Sequence, residues 1–197
     1  QDELPQSAGG RTITTTEPKF IPQEAVELKL AGEVTIRVRL VDCVGFMVEG
    51  AAGHLEDGAE RLVKTPWYDH EIPFTQAAEL GTRKVITDHS TIGVVVTTDG
   101  SFSDLPQETY LDAENQAISE LKKLHKPFLV LVNSSHPSSR TAREAAERIE
   151  KQHSVAAMPV NCAQLSEEDI RQIMEQILYE FPVSRVEFYM PKWVEML

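Results

Sequence analysis

The sequence predicts an α/β domain built on a mostly parallel sheet flanked by helices. Three observations predict it. Ile92 to Val96 and Phe128 to Val132 are short, continuous apolar runs; segments of helical periodicity lie between and after them; and the polar residues Asp99 and Asn133 stand where the runs end. Continuous apolar runs of this length mark strands covered on both faces, and strands that alternate with helices assemble in parallel. The 197 residues, 41% of them apolar, can fill one such core.

In chain order, Gln1 to Gly10 is a polar lead-in without periodicity, and with no Met at its head the chain reads as the interior of a longer one. Alternation at Val26, Leu28 and Leu30, a turn at Ala31-Gly32-Glu33, and further alternation at Val34, Ile36, Val38 and Leu40 predict an antiparallel hairpin. The stretch from Phe46 to Pro73 is too long for a plain connection. A helix is predicted between Thr75 and His89. A second follows over Leu111 to Leu124, with Ile118 and Leu121 on its apolar face. Ala142, Ala145, Ala146 and Ile149 give the helix within Ser138 to Gln152 a small-residue face suited to close packing, and Val155 to Val160 is a weaker strand. Ser166 to Asp169 is an N-terminal cap for a helix through Ile170, Ile173, Ile177 and Phe181, stopped by Pro182. The predicted domain therefore covers residues 1–182, and residues 183–197, with alternating Arg185 to Met190, form a strand and linker toward a next domain.

Composition excludes several classes of function. Lys and Arg total 19 against 31 Asp and Glu, and a net charge of −12 opposes broad contact with nucleic acid or anionic membrane. The two cysteines, Cys43 and Cys162, form no C-x-x-C pair, and the six histidines show no ligand spacing, which fits a reduced, cytoplasmic protein. No apolar run is long enough to span a bilayer as a helix.

The chemistry-bearing residues cluster at predicted strand ends. R-V-R-L-V-D-C-V-G-F, Arg37 to Phe46, ends a strand on D-x-x-G, in which Asp42 can face Mg²⁺ and Gly45 can bring its N–H to a terminal phosphate. The same four residues also suit a plain strand-to-turn exit. Upstream, R-T-I-T-T-T-E-P offers the hydroxyl of Thr15 or Thr16 to the same ion, although three Thr before Glu-Pro equally suit an extended edge. V-L-V-N-S-S-H, Val130 to His136, ends a strand on Asn133 where guanine-binding proteins carry N-K-x-D. Ser134 replaces the Lys and His136 the Asp, so the carboxylate that would accept from guanine N1–H and its 2-amino group is lost. Asn161 to Ala163 occupies the place of a further base-contacting loop, and a turn or cap suits Asp99. Trp67 and Tyr68 are expected to tuck the long loop onto the core.

Taken with Q-D-E-L-P-Q-S-A, T-T-E-P-K-F, L-V-D-C-V-G, K-T-P-W-Y, E-L-G-T-R-K-V-I, H-S-T-I-G-V-V, T-T-D-G and L-Y-E-F-P-V, these motifs closely resemble, nearly end to end, the nucleotide-binding domain of the stage IV sporulation protein A family. The resemblance implies a P-loop NTPase fold similar to translation-factor GTPases, with ATP and Mg²⁺ as cofactors. It implies a spore coat morphogenetic ATPase that polymerises on the outer forespore surface in the mother cell. Its implied partners are further copies of itself, a small amphipathic membrane-bound recruiting peptide and other coat proteins. It also implies the roles of Thr15, Thr16 and Asp42 in catalysis and Mg²⁺ binding, and of Gly45 and Asn133 in nucleotide binding.

One departure matters: no G-x-x-x-x-G-K-[ST] occurs in these residues. The family's phosphate loop and its strand lie upstream of Gln1, so this chain alone is expected to be inactive. That strand belongs between the one ending at Asp42 and the one from Ile92 to Val96. These two are expected either to close on each other or to receive a replacement. A non-catalytic assembly domain on the same fold is the alternative function. Phe46, where GTPases carry a water-orienting Gln, implies slow hydrolysis.

Overall fold

The computed structural model describes residues 19–181 apart from 31–33, 51–54, 57, 66 and 103–104. Thr15, Thr16, the predicted turn at 31–33 and the predicted strand at 185–190 lie outside the described residues. An antiparallel pair comes first, β1 (Lys19–Lys29) against β2 (Thr35–Asp42). Its ladder is interrupted by a bulge in β1 between Ile21 and Val26, where Pro22 has no N–H to give. The predicted alternation holds at Ile36 and Val38, both half-buried, and fails at Leu40, which is 57% exposed. Val41, on the opposite face of the strand, instead lines a cleft described below.

The long stretch after Asp42 forms two small antiparallel pairs, β3 (Leu55–Glu56) with β4 (Ala59–Glu60) and β5 (Leu62–Val63) with β6 (Ile72–Pro73). Trp67 is half-buried, with the Lys84 ammonium 5.7 Å from its ring centre, whereas Tyr68 is exposed against His70. The expected aromatic anchor is therefore Trp67 alone. Helix α1 (Phe74–Lys84) buries Phe74, Ala77, Ala78 and Thr82, then widens into a π-helical turn at Val85–His89. Lys126 donates to the carbonyls of Ile86, Thr87 and Ser90, which satisfies acceptors at the turn's end.

The principal sheet is parallel, in the order β7 (Gly93–Thr98), β8 (Phe128–Asn133), β9 (Ala157–Val160). Phe128 through Val132 are all buried, as the unbroken apolar run requires. On one face Val95, Val130 and Val132 meet Ile118 and Leu121 of α2 (Leu111–Lys123) and Ala145, Ala146 and Ile149 of α3 (Arg140–His153). On the other, Leu129, Leu131 and Val160 meet Ile173 and Ile177 of α4 (Glu167–Tyr179). Each Val, Leu and Ile among these contributes about 1.5–3 kcal/mol by leaving water, so this unit dominates stability. The predicted cap is present as a reciprocal box, in which Asp169 N–H donates to Ser166 Oγ and Ser166 N–H donates to Asp169.

Gly93 opens β7 where a side chain does not fit, because an added Cβ would lie 2.7 Å from Leu121 Cδ2 and 3.1 Å from Phe128 Cβ. Gly93→Ala is expected to cost about 1–2 kcal/mol, since Leu121 is buried and overpacking outweighs the gain from a stiffer unfolded chain. Urea denaturation measures this; an unchanged midpoint would mean that Leu121 swings aside.

The expected closure between β2 and β7 does not occur among the described residues. β7 ends the three-stranded sheet, β2 pairs only with β1, and a cleft of about 460 Å³ separates them. α4 packs on β8 and β9, and Val94 and Val96 of β7 are 42% and 58% exposed. β2 is held instead by its ladder to β1 and, through Gly45, by Thr82 of α1, and Val41, Val94 and Val96 line the cleft that is left.

Candidate functional site

Asp42 is the last residue of β2; its carboxylate is exposed, and the residue lines the cleft. Gly45 follows at φ +86°, a conformation that favours glycine. Its N–H donates to Thr82 Oγ1 at 3.0 Å, and its carbonyl accepts from the same hydroxyl at 3.1 Å. The donor expected to reach a phosphate is thus engaged by α1. Desolvation pushes the Cys43 thiol above its ordinary pKa, a shift opposed by hydrogen bonds with Thr82 and the Gly45 backbone, so Cys43 is not an activated nucleophile.

No three His, Cys, Asp or Glu side chains gather as a metal cage among the described residues. A single exposed carboxylate beside a cleft suits Mg²⁺, which keeps several waters and takes one or two carboxylates together with substrate phosphates. Asp42 meets that requirement.

The second group lies at the ends of β7, β8 and β9. Asn133 is half-buried; its Oδ1 accepts from Cys162 N–H at 2.9 Å and its carbonyl accepts from Asp99 N–H. Ser134 is wholly buried, donates from its hydroxyl to Asp99 Oδ2 at 2.6 Å, and sends its N–H to the carbonyl of Val160. Asp99 Oδ1 accepts from both the N–H and the hydroxyl of Ser101. Burial opposes the charge on Asp99, but the hydrogen bonds from Ser101 and Ser134 outweigh it and hold the carboxyl below the ordinary aspartate pKa. Stability from this group is therefore present above the unfolded-state pKa and lost as pH falls through its depressed value.

Of the predicted residues, the structure places Asp42 and Gly45 on the cleft and Asn133 at the end of β8. Asp99 is more than a turn residue, since it joins two loops. Thr82, Ser101 and Ser135 gave no warning as isolated residues, although D-G-S is an Asx-turn pattern that could have pointed to Ser101.

Acidic and amide side chains at the carboxyl ends of the strands of an α/β sheet flanked by helices give the architecture of a nucleotide-binding domain. Residues 1–182 match the family described as Stage IV sporulation protein A, ATPase domain. The Stage IV sporulation protein A of Clostridioides difficile (strain 630) is 48% identical over 197 residues, covering all of this chain and 40% of that protein. Those of Bacillus anthracis and Bacillus subtilis (strain 168) are 43% identical over the same span, again 40% of each. The chain belongs to the stage IV sporulation protein A family and spans about 40% of the length of these relatives. No solved structure matches it significantly. No helix among the described residues is long and apolar enough to cross a membrane.

Proposed function

We propose that this chain belongs to the nucleotide domain of an ATP-hydrolysing morphogenetic protein that polymerises on the forespore surface as the base of the spore coat. The observation that carries the reading is Asp42, a carboxylate at a strand end facing a cleft between β2 and β7 where a strand bearing a phosphate loop would lie. Asp42 would hold Mg²⁺, and Thr15 or Thr16 would ligate the ion or sense the terminal phosphate. Mg²⁺, when bound, neutralises charge on the phosphates. Gly45 offers its N–H to the terminal phosphate after exchanging Thr82 for it. Asn133 and the loop following it face the base. Phe46, an apolar ring, cannot polarise water, so turnover is slow. Self-association, an amphipathic membrane-bound peptide and coat proteins are the partners on this reading, and nucleic acid is disfavoured by the net charge of −12.

The engagement of Gly45 by Thr82 favours the second reading, an assembly domain that does not turn over nucleotide. Calorimetric titration of the full-length protein with Mg²⁺-ATP and Mg²⁺-GTP separates the two. ATP is expected to bind at least about tenfold more tightly, about 1.4 kcal/mol, because guanine's N1–H and 2-amino group find no carboxylate at His136. Equal affinities would remove the base-reading argument, and absence of binding would favour the assembly domain.

A further inference from the structure

The loop after β8 takes its shape from a neighbouring strand's carboxylate. The Ser135 N–H donates to Ser101 Oγ at 2.9 Å, and the Ser101 hydroxyl donates to Asp99 Oδ1 at 2.6 Å. The His136 N–H donates to Ser134 Oγ at 3.1 Å, and the Ser134 hydroxyl donates to Asp99 Oδ2 at 2.6 Å. Two chains of donation, each running N–H to hydroxyl to carboxylate, thus converge on opposite oxygens of one side chain. Each serine hydroxyl has one proton, and spending it on Asp99 leaves its oxygen free to accept from the backbone. An ionised carboxylate, which accepts at both oxygens and donates at neither, suits the two hydroxyls and Ser101 N–H together. The 2.6 Å distances are those of charge-assisted hydrogen bonds. Ser134 is wholly buried, so its hydroxyl has no water to turn to if Asp99 is removed.

We propose that Asp99 is a positioning residue for nucleotide recognition: it fixes Ser134, Ser135 and His136 in the arrangement that receives the base. The inference rests on the reading above that this loop faces the base. It assigns Asp99 to substrate affinity and selectivity, not to the hydrolytic step. Asp99→Asn keeps the shape but puts an amide donor opposite one of two hydroxyls that are themselves donating. Asp99 is then expected to reveal itself as a rise in KM for ATP with kcat nearly unchanged, together with a weaker preference for ATP over GTP.

The test uses the full-length protein carrying Asp99→Asn and, separately, Ser101→Ala. Ser101 is exposed, and its loss cuts only the arm to Ser135. Steady-state hydrolysis is expected to show KM for ATP raised about tenfold in the first variant and about threefold in the second, with kcat within a factor of about two. Hydrogen exchange without nucleotide is expected to show the Ser135 and His136 amides exchanging at least about tenfold faster in Asp99→Asn, and only Ser135 faster in Ser101→Ala. If Asp99→Asn fails to fold, the Ser101→Ala pair of measurements decides. Unchanged exchange and unchanged KM overturn the proposal, as does an equal fall in kcat. Faster exchange in a protein whose wild type binds no ATP would uphold the positioning contacts and overturn the nucleotide role on which their function rests.

Discussion

Asp42→Ala is expected to lower Mg²⁺-dependent ATP hydrolysis by the full-length protein about 100-fold or more while leaving its stability within about 0.5 kcal/mol of wild type. The fold is spared because Asp42 is exposed and its place in the β1–β2 ladder, opposite Lys19, is made by backbone. The activity is not spared, because the carboxylate is the one acidic group that the D-C-V-G strand end brings to the cleft, and a methyl group cannot hold the ion's water shell. Phosphate release at saturating Mg²⁺, with thermal unfolding monitored in parallel, makes the distinction. Full activity would take Asp42 out of the mechanism, and lost activity with a lowered midpoint would make it a structural residue.

Arg148→Ala is expected to have the largest effect on stability, about 3 kcal/mol, or a fall of about 10 °C in unfolding temperature for a domain of this size. Glu114 on α2 has a side chain only 1% exposed, and it faces Arg148 of α3 through Nη1 to Oε1 at 2.9 Å and Nη2 to Oε2 at 3.1 Å. Thr97 of β7 supplies one further donor at 2.8 Å. Removing Arg148 leaves a buried carboxylate that keeps the Thr97 hydroxyl but loses its counter-charge. Arg148 is itself 32% exposed, so water can enter its place, which puts the loss at the lower end for a broken buried pair. The double variant Glu114→Gln/Arg148→Met is expected to be more stable than Arg148→Ala alone, because it removes both charges. Chemical denaturation of the three proteins tests this. A double variant no better than the single one would show that Arg148 acts through packing, not charge.

The parts legible in the sequence are those fixed by local pattern. Phe128 to Val132 announces a strand buried on both faces, Ser166 and Asp169 announce a cap, and the strand ends mark Asp42 and Asn133 as candidates. What could not be read depends on residues far apart in the chain. Leu40 continues the alternation of β2, yet no element among the described residues covers it, and no periodicity records which helix lies over which strand. Thr82 lies inside a helix and looks ordinary there, and only the placement of α1 gives it Gly45 as a partner. Asp99 looks like a turn residue because its bond to Ser101 is local, while the bond to Ser134, 35 residues on, is what gives it a wider role. The same limit applies to the cleft: local pattern identifies both strands that border it but not the space between them.

The separation of the β1–β2 pair from the parallel sheet makes α1 the seam of the molecule. Phe20 of β1 meets His89 edge-on at 5.9 Å, and Gly45 meets Thr82, so the hairpin is fastened to α1 and its π-helical turn. No ladder hydrogen bond joins it to β7 among the described residues. These contacts lie at the seam, while the apolar core around β8 is built from β7, β8, β9 and helices α2, α3 and α4 without the hairpin. A strand seated between the two edges would join the hairpin and the parallel sheet through one continuous ladder, and local opening on either side would then have to break it.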